Sequence, residues 1–369
     1  MKRAAAAAIS LMTGLAMLTG CSRAEVEETI QPLVADAIEE SDSEAEAVKE
    51  EDESPLIPEI DTDIKIHAGS RIAVVSKCVK GECWKMVKKG MEDAVKEINK
   101  AYGYKKDDQI TMTFEGPDNE EDVETQINTI DAVIAENPDV LCISASDMDS
   151  CEAQLEAAKE NGIPVIAFDS NVAEKKLVKA YRGTDNVQVG KMAAYQLGSA
   201  LGKMGKVAVF SAQQKTKSVQ DRVEGFMNNI GKYGDIEVVE TIYSDQVDDM
   251  EASMKEVLEK YPTLDGVFCT NADITEMYLN LEKSDEHDAP ALVGVDATTK
   301  QQEAIRNGEE IGCVSQQPYA MGYQTIWAAV ETTAPKKSVV IEKNVLSNPA
   351  WIDADCLDDP DYSGYLYTE

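Results

Sequence analysis

Histidine is almost missing from this chain: His67 and His287 are the only two in 369 residues. With no Cys-x-x-Cys pair beside them, the usual ligand sets for zinc do not assemble, so neither a metal nor another cofactor is expected. Basic residues are scarce as well. The 35 Lys and Arg against 69 Asp and Glu give a formal net charge of -34. Such a chain repels phosphate backbones and anionic membrane surfaces, which excludes nucleic acid as a partner and favours neutral or cationic small molecules. The sequence contains no Gly-x-Ser-x-Gly nucleophile turn and no Gly-x-x-x-x-Gly-Lys phosphate loop, so the ordinary signatures of a hydrolase or a nucleotide-driven enzyme are absent. An acid/base pair formed by Asp169 and Asp296 is the remaining route to catalysis, and the chain reads as a non-enzyme. Long apolar runs are also lacking: Ala4 to Leu18 is too short for a comfortable membrane span.

What is present begins with an address. Lys2 and Arg3, the apolar stretch and then Leu18-Thr19-Gly20-Cys21 have the order of a secretory signal. The last four residues resemble the lipobox of bacterial lipoproteins, which implies that Cys21 is lipidated after cleavage at residues 1–21. Residues 22–69 are predicted to be a disordered acidic tether. Between Ser22 and His67 there are sixteen acidic and three basic residues, with Pro32, Pro55 and Pro58, and such a stretch buries too little apolar surface to offset its ordering entropy. Val26, Ile30, Leu33, Val34, Ala37 and Ile38 permit one transient amphipathic helix, interrupted at Pro32. Of the other seven cysteines, Cys142, Cys269 and Cys313 lie in apolar runs and read as small hydrophobes. Cys78 and Cys83 are close enough in sequence to close a loop disulfide, a pairing the sequence leaves open.

The remaining 300 or so residues suffice for two domains. β-branched runs such as Arg71 to Ser76, Ile110 to Phe114, Val140 to Ser144 and Ile163 to Phe168 alternate with segments of helical period. The pattern restarts after Gly190 with strands at Lys206 to Phe210, Ile236 to Ile242, Gly266 to Thr270 and Ala291 to Val295. A period that switches from about 2 to about 3.6 and back predicts an α/β chain with two doubly wound parallel sheets. Ligands of such sheets bind beyond the carboxyl ends of the strands, in the cleft where two lobes meet.

Read at those ends, the sequence resembles the sugar-binding periplasmic-binding-protein family typified by ribose- and galactose-binding proteins. The resemblance runs from Arg71 to about Val345. It is carried by Ile72-Ala73-Val74-Val75-Ser76, Asn161 to Asp169, Gly183-Thr184-Asp185-Asn186, Arg222-Val223-Glu224-Gly225-Phe226, Gly266 to Asn271, and Val293-Gly294-Val295-Asp296. It implies a type I fold of two lobes joined by a hinge and crossed three times, near Gly183 to Asn186, near Gln316 to Pro318, and once more towards the end. Lobe 1 would take residues 70–183 plus 317–336, and lobe 2 residues 184–316 plus 338–369, with a late strand near 338–346 in lobe 2.

By the same resemblance Asp169, Asn271, Asp296 and Gln316 contact the ligand, with helix caps or turns as the rival reading. Trp84 would stack on it, Ser76 is a weaker candidate, and Arg222 either contacts it or braces its helix. The departures weigh on the ligand's identity: Ser170, Ser144, Gln220 and Asp245 stand where ribose-binding proteins carry arginine, asparagine, arginine and an aromatic residue. Ser144 and Gln220 are therefore expected at the ligand, and ribose is not carried over; a more acidic pocket suits another sugar, a polyol, an amino sugar or another polar metabolite. The family implies a monomeric extracytoplasmic receptor, held to the membrane by its lipid, that passes a sugar to the permease and ATPase of an importer. A sensory receptor serving a membrane histidine kinase or chemoreceptor would share this sequence. A DNA-binding regulator with the same core is disfavoured by the export signal and the acidity.

Overall fold

The alternation of strand and helix periods is realised in a computed structural model that describes residues 57–281, 289–335 and 339–368. The signal, Cys21, the proposed amphipathic helix and most of the acidic stretch lie outside the described residues. In chain order the strands are β1 (Arg71–Val75), β2 (Thr111–Glu115), β3 (Val140–Ile143), β4 (Val165–Phe168), β5 (Ala180–Thr184), β6 (Met204–Ser211), β7 (Asp235–Tyr243), β8 (Gly266–Cys269), β9 (Ala291–Val295), β10 (Gly312–Ser315), β11 (Asn344–Ser347) and β12 (Ala350–Ile352). The helices are α1 (Glu82–Ala101), α2 (Val123–Ala135), α3 (Glu152–Glu160), α4 (Asn186–Ala200), α5 (Lys217–Ile230), α6 (Met250–Lys260), α7 (Ala272–Leu279), α8 (Thr299–Asn307) and α9 (Pro318–Glu331).

Two six-stranded sheets result, ordered β11-β5-β4-β3-β1-β2 and β12-β10-β9-β8-β6-β7. The first is parallel throughout, and the second is parallel except where β12 pairs antiparallel with β10. Helices cover both faces, so β3, β4, β8 and β10 are continuous buried runs, whereas the edge strand β2 alternates between exposed and half-buried positions. Sheet 1 carries one apolar cluster on each face, around Val74 with Ile98 and around Val75 with Ile130; sheet 2 has its main cluster around Phe226 and Phe268.

Two expectations are corrected, and one pairing that the sequence left open is decided. The late strand β11 pairs with β5, Val345 opposite Arg182, and so belongs to sheet 1 rather than to lobe 2. The chain therefore crosses back only between Ser347 and Ala350, where β12 joins sheet 2. The tether is shorter than its composition suggests: Ile60, Ile64 and Ile66 pack against the sheet 1 core, and the Tyr102 hydroxyl donates to the carbonyls of Asp61 and Ile64. Three isoleucines within seven residues bury enough apolar surface to order the segment. Cys78 and Cys83 both carry free thiols, and the Cys78 Sγ contacts the carbonyls of Lys80 and Asp118 instead of a second sulfur.

Candidate functional site

The carboxyl ends of β4 and β9 each finish on an aspartate in a left-handed backbone conformation, with φ of 53° at Asp169 and 77° at Asp296. Such φ values cost a non-glycine residue about 1–3 kcal/mol and persist only where surroundings fix them. Here the side chains supply that fixation. Asp169 Oδ2 accepts from the hydroxyls of Ser144 (2.9 Å) and Ser170 (3.1 Å) and from Lys77 Nζ at 3.0 Å. Asp296 Oδ1 accepts from Gln316 Nε2 (2.7 Å) and the Tyr367 hydroxyl (2.8 Å), and Oδ2 from the amide of Ala272 (3.1 Å). The two turns face each other across a cavity of about 260 Å³ between the lobes.

Six of the nine expected contact residues line that cavity: Trp84, Asp169, Arg222, Asn271, Asp296 and Gln316. Several also do structural work. Asn271 caps α7 by accepting from the amide of Ile274, and Gln316 spans the hinge by accepting from the Thr184 hydroxyl while donating to Asp296. Arg222 donates from Nε to Asn186 Oδ1 and from Nη1 to the Thr270 carbonyl, both at 2.8 Å, and so braces its helix through neutral acceptors. Trp84 donates from Nε1 to Glu120 Oε1 at 2.8 Å and sets its ring edge-on to Phe168.

The other three stand back from the cavity wall. The Ser76 hydroxyl turns away to the carbonyls of Cys78 and Glu115, shaping the loop after β1. Ser144 sits behind Asp169 and orients it. Gln220 lies on α5 between Val219 and Arg222, which do line the cavity; the helical step of about 100° turns it off that face.

Sequence reasoning missed the residue at the centre. Lys77 is buried, pairs with Asp169 and with Glu120 (3.5 Å), and holds its ammonium 5.6 Å from the Trp84 ring centre. Burial alone would lower its pKa, but Asp169 and Glu120 outweigh burial and raise it. Burial would likewise raise the Asp169 pKa, and Lys77 and Arg222 hold it below the ordinary value. Both partners thus stay charged. Tyr367 was missed too, because nothing local marks it: the C-terminal segment folds back so that its amide donates to the Ala297 carbonyl and its hydroxyl reaches Asp296. Asp273, in the first turn of α7, lines the cavity mouth and remains exposed to solvent; surrounding protein first, then Glu120, Glu276 and Asp296, push its pKa up to about 7 against the opposing effect of Lys77. Among the described residues no cluster of three or more His, Cys, Asp or Glu is arranged to hold a metal ion.

The lobes touch on both sides of the cavity. Thr216 Oγ1 donates to the Ser146 carbonyl (2.6 Å), the Ser170 and Ser218 hydroxyls are 2.6 Å apart, and Gln213 Nε2 donates to the Glu120 carbonyl (2.8 Å). On the α1 side Glu82 Oε2 accepts from the amide of Thr299 (2.8 Å), capping the start of α8 from the opposite lobe. This is a closed cleft.

The same architecture recurs in solved proteins. A solute-binding protein of an ABC transporter from Agrobacterium vitis, bound with α-D-tagatopyranose, has a TM-score of 0.74 at 24% identity over 81% of this chain and 100% of that one. Another from Agrobacterium vitis, with bound D-fucose, has a TM-score of 0.72 at 26% identity and the same coverage. The ribose import binding protein of Bacillus subtilis is 26% identical over 220 residues, 60% of this chain and 71% of that protein. Residues 72–337 match the periplasmic binding protein domain as a family, and with two hinged parallel sheets closing on a polar cavity, this chain belongs to that family.

Proposed function

We propose that the protein is an extracytoplasmic receptor that captures a small polar carbohydrate, a monosaccharide or a related polyol, and delivers it to the permease and ATPase of an ABC importer. The observation that carries this reading is the cavity at the facing ends of two hinged sheets. Its volume of about 260 Å³ lies below the roughly 300–1,000 Å³ of pockets for drug-sized ligands. A guest of one sugar ring suits that space. Carboxylates and amides accept from and donate to hydroxyls, and Trp84 with Val219 offers apolar surface for a C–H patch. Asp169 has Oδ1 available beyond the bonds made by its Oδ2, and Asn271 has Nδ2 available beyond its helix cap. Trp84, Asp169, Arg222, Asn271, Asp296 and Gln316 are the residues proposed to hold the ligand.

Relatives named for import or for binding of ribose, xylitol and D-fucose support delivery to an importer over the sensory alternative. Their names describe capture rather than turnover, in keeping with a binding role here. A thermal-shift screen of the protein against pentoses, hexoses, polyols and amino sugars tests the reading, since a ligand specific to the folded state raises the melting temperature. At least one carbohydrate is expected to do so, and a panel without any shift overturns it. The membrane anchor rests on Leu18-Thr19-Gly20-Cys21. Cys21→Ala is expected to move the protein from the membrane to the soluble fraction, and undiminished membrane retention rules the anchor out.

A further inference from the structure

The inner cavity does not end at Asn271. A wider chamber of about 600 Å³ adjoins it and shares Asp118, Glu120, Asn271 and Asp273 with it. Both lobes build this chamber. The loop after β2 supplies residues 118–121, and lobe 2 supplies the rest, chiefly from the ends of β6, β7 and β8 and from α6 and α7. Glu120 is fixed where the two spaces meet: its carboxylate accepts from Trp84 Nε1 and pairs with Lys77, and its carbonyl accepts from Gln213 Nε2 across the cleft.

The lining of the chamber is sorted by chemistry. Asp118, Glu121, Asp248, Asp249 and Asp273 are exposed and form its rim. Its floor is neutral: Gln213 and Asn271 are only 6% and 8% exposed, Met250 and Ile274 belong to the sheet 2 core, and Val247 and Met277 pack half-buried against that core. Three neutral polar groups on this floor lack partners among the described residues. Asn271 Nδ2 makes no bond beside the one its Oδ1 accepts, Gln213 Oε1 makes none beside the one its Nε2 donates, and Ser244 Oγ is shielded from solvent with none at all. A buried polar group left without a partner costs about 1–3 kcal/mol, so such groups call for something that completes them. Sugar hydroxyls can, because each both donates and accepts and so meets an amide N–H, an amide oxygen and a serine hydroxyl alike. Met277 and Val247 offer adaptable apolar surface to the C–H face of a ring. The inner cavity, at about 260 Å³, holds one ring, while the chamber lies within the roughly 300–1,000 Å³ of ordinary ligand pockets. A glycosidic oxygen passing between the two carries no hydrogen and can only accept, which suits Asn271 Nδ2.

We propose that the guest of this cleft is a disaccharide, with one ring in the inner cavity and the second in the chamber, over Val247 and Met277 and among Gln213, Ser244 and Asn271. This rests on the receptor reading and extends its ligand class beyond a single ring. The test is isothermal titration calorimetry with maltose, cellobiose, lactose, melibiose and xylobiose, each against the free monosaccharides of its rings. At least one disaccharide is expected to bind tighter than its component monosaccharides by about tenfold or more. Met277→Trp fills the chamber and leaves the inner cavity alone. It should weaken that disaccharide by at least about tenfold while changing monosaccharide affinity by less than about threefold. The melting temperature of each unliganded variant shows that it is folded; should Met277→Trp fail to fold, Val247→Trp decides in its place. Disaccharides that fall short of that margin, or an advantage that the filled chamber leaves unaltered, overturn the inference about the second ring and leave the carbohydrate receptor standing. If no saccharide of either size binds, both fall.

Discussion

Lys77 shows how one side chain sets the electrostatics of a buried site. Its ammonium lies within 3.0 Å of Asp169 and 3.5 Å of Glu120, and Lys77 and Asp169 stay ionised because each charge offsets the desolvation of the other. Removing one partner of such a set leaves an uncompensated charge, which is far worse than never having built the pair. Lys77→Met is therefore expected to lower the unfolding free energy by about 3–5 kcal/mol in urea denaturation. A loss below about 1 kcal/mol would mean that the pair behaves like a surface ion pair. Tyr367 acts one step further out, since its hydroxyl holds Asp296 from a segment 71 residues away in sequence. Tyr367→Phe should cost about 0.5–1.5 kcal/mol of stability and weaken carbohydrate binding; calorimetry showing unchanged affinity would remove it from the support of the site. At this scale the sequence marked Asp169 and Asp296 through the motifs around them. It marked neither Lys77 nor Tyr367, whose importance comes from neighbours brought in by folding.

Helix pairs set the walls of each lobe by approaching too closely for side chains. A Cβ on Gly190 of α4 would lie 1.9 Å from the Arg222 carbonyl oxygen of α5, and one on Gly225 of α5 would lie 2.1 Å from the Val187 carbonyl oxygen of α4. Arg222 is thus placed at the cavity by a crossing that only glycine permits. Gly190→Ala is expected to separate the two helices, destabilise the protein by about 1–3 kcal/mol and reduce ligand affinity by displacing Arg222. Equal melting temperatures for variant and parent would disprove the constraint. Among the elements, the long apolar runs were legible because burial on both faces leaves no alternation to misread. β5, β10 and α8 escaped notice: β5 has an arginine at its centre, β10 reads Gly-Cys-Val-Ser with a single large apolar residue, and α8 is announced mainly by the Thr298 and Gln301 capping box.

Across the whole molecule, proton binding links the cavity to stability. Asp273, which keeps part of its side chain in solvent, has its pKa raised to about 7 by the protein packed around it first and then by Glu120, Glu276 and Asp296, while Lys77 opposes the shift. Glu331, on α9, is also raised to about 7, by burial and by Glu342, against the pull of Arg182. The ordinary values of these carboxyls are 3.8 and 4.5. Between those values and about 7 the folded chain binds more protons than the unfolded one, so stability falls as pH rises through that window. The melting temperature of the unliganded protein is expected to decline from about pH 4.5 to about pH 7, and Asp273→Asn should flatten the slope. A melting temperature that rises across the window, or a slope unaltered by the substitution, would contradict the assignment.

The sequence by itself determined the alternation of strands and helices, the doubling into two sheets, and the placing of polar residues at strand ends, because each of these is written in local period and local turn chemistry. Only the tertiary structure decided which sheet receives β11, that residues 57–69 belong to the folded body, that Lys77 sits between two carboxylates, and that Tyr367 returns to Asp296. Strand pairing, burial and charge compensation depend on groups distant along the chain, and no local pattern encodes which of them will meet.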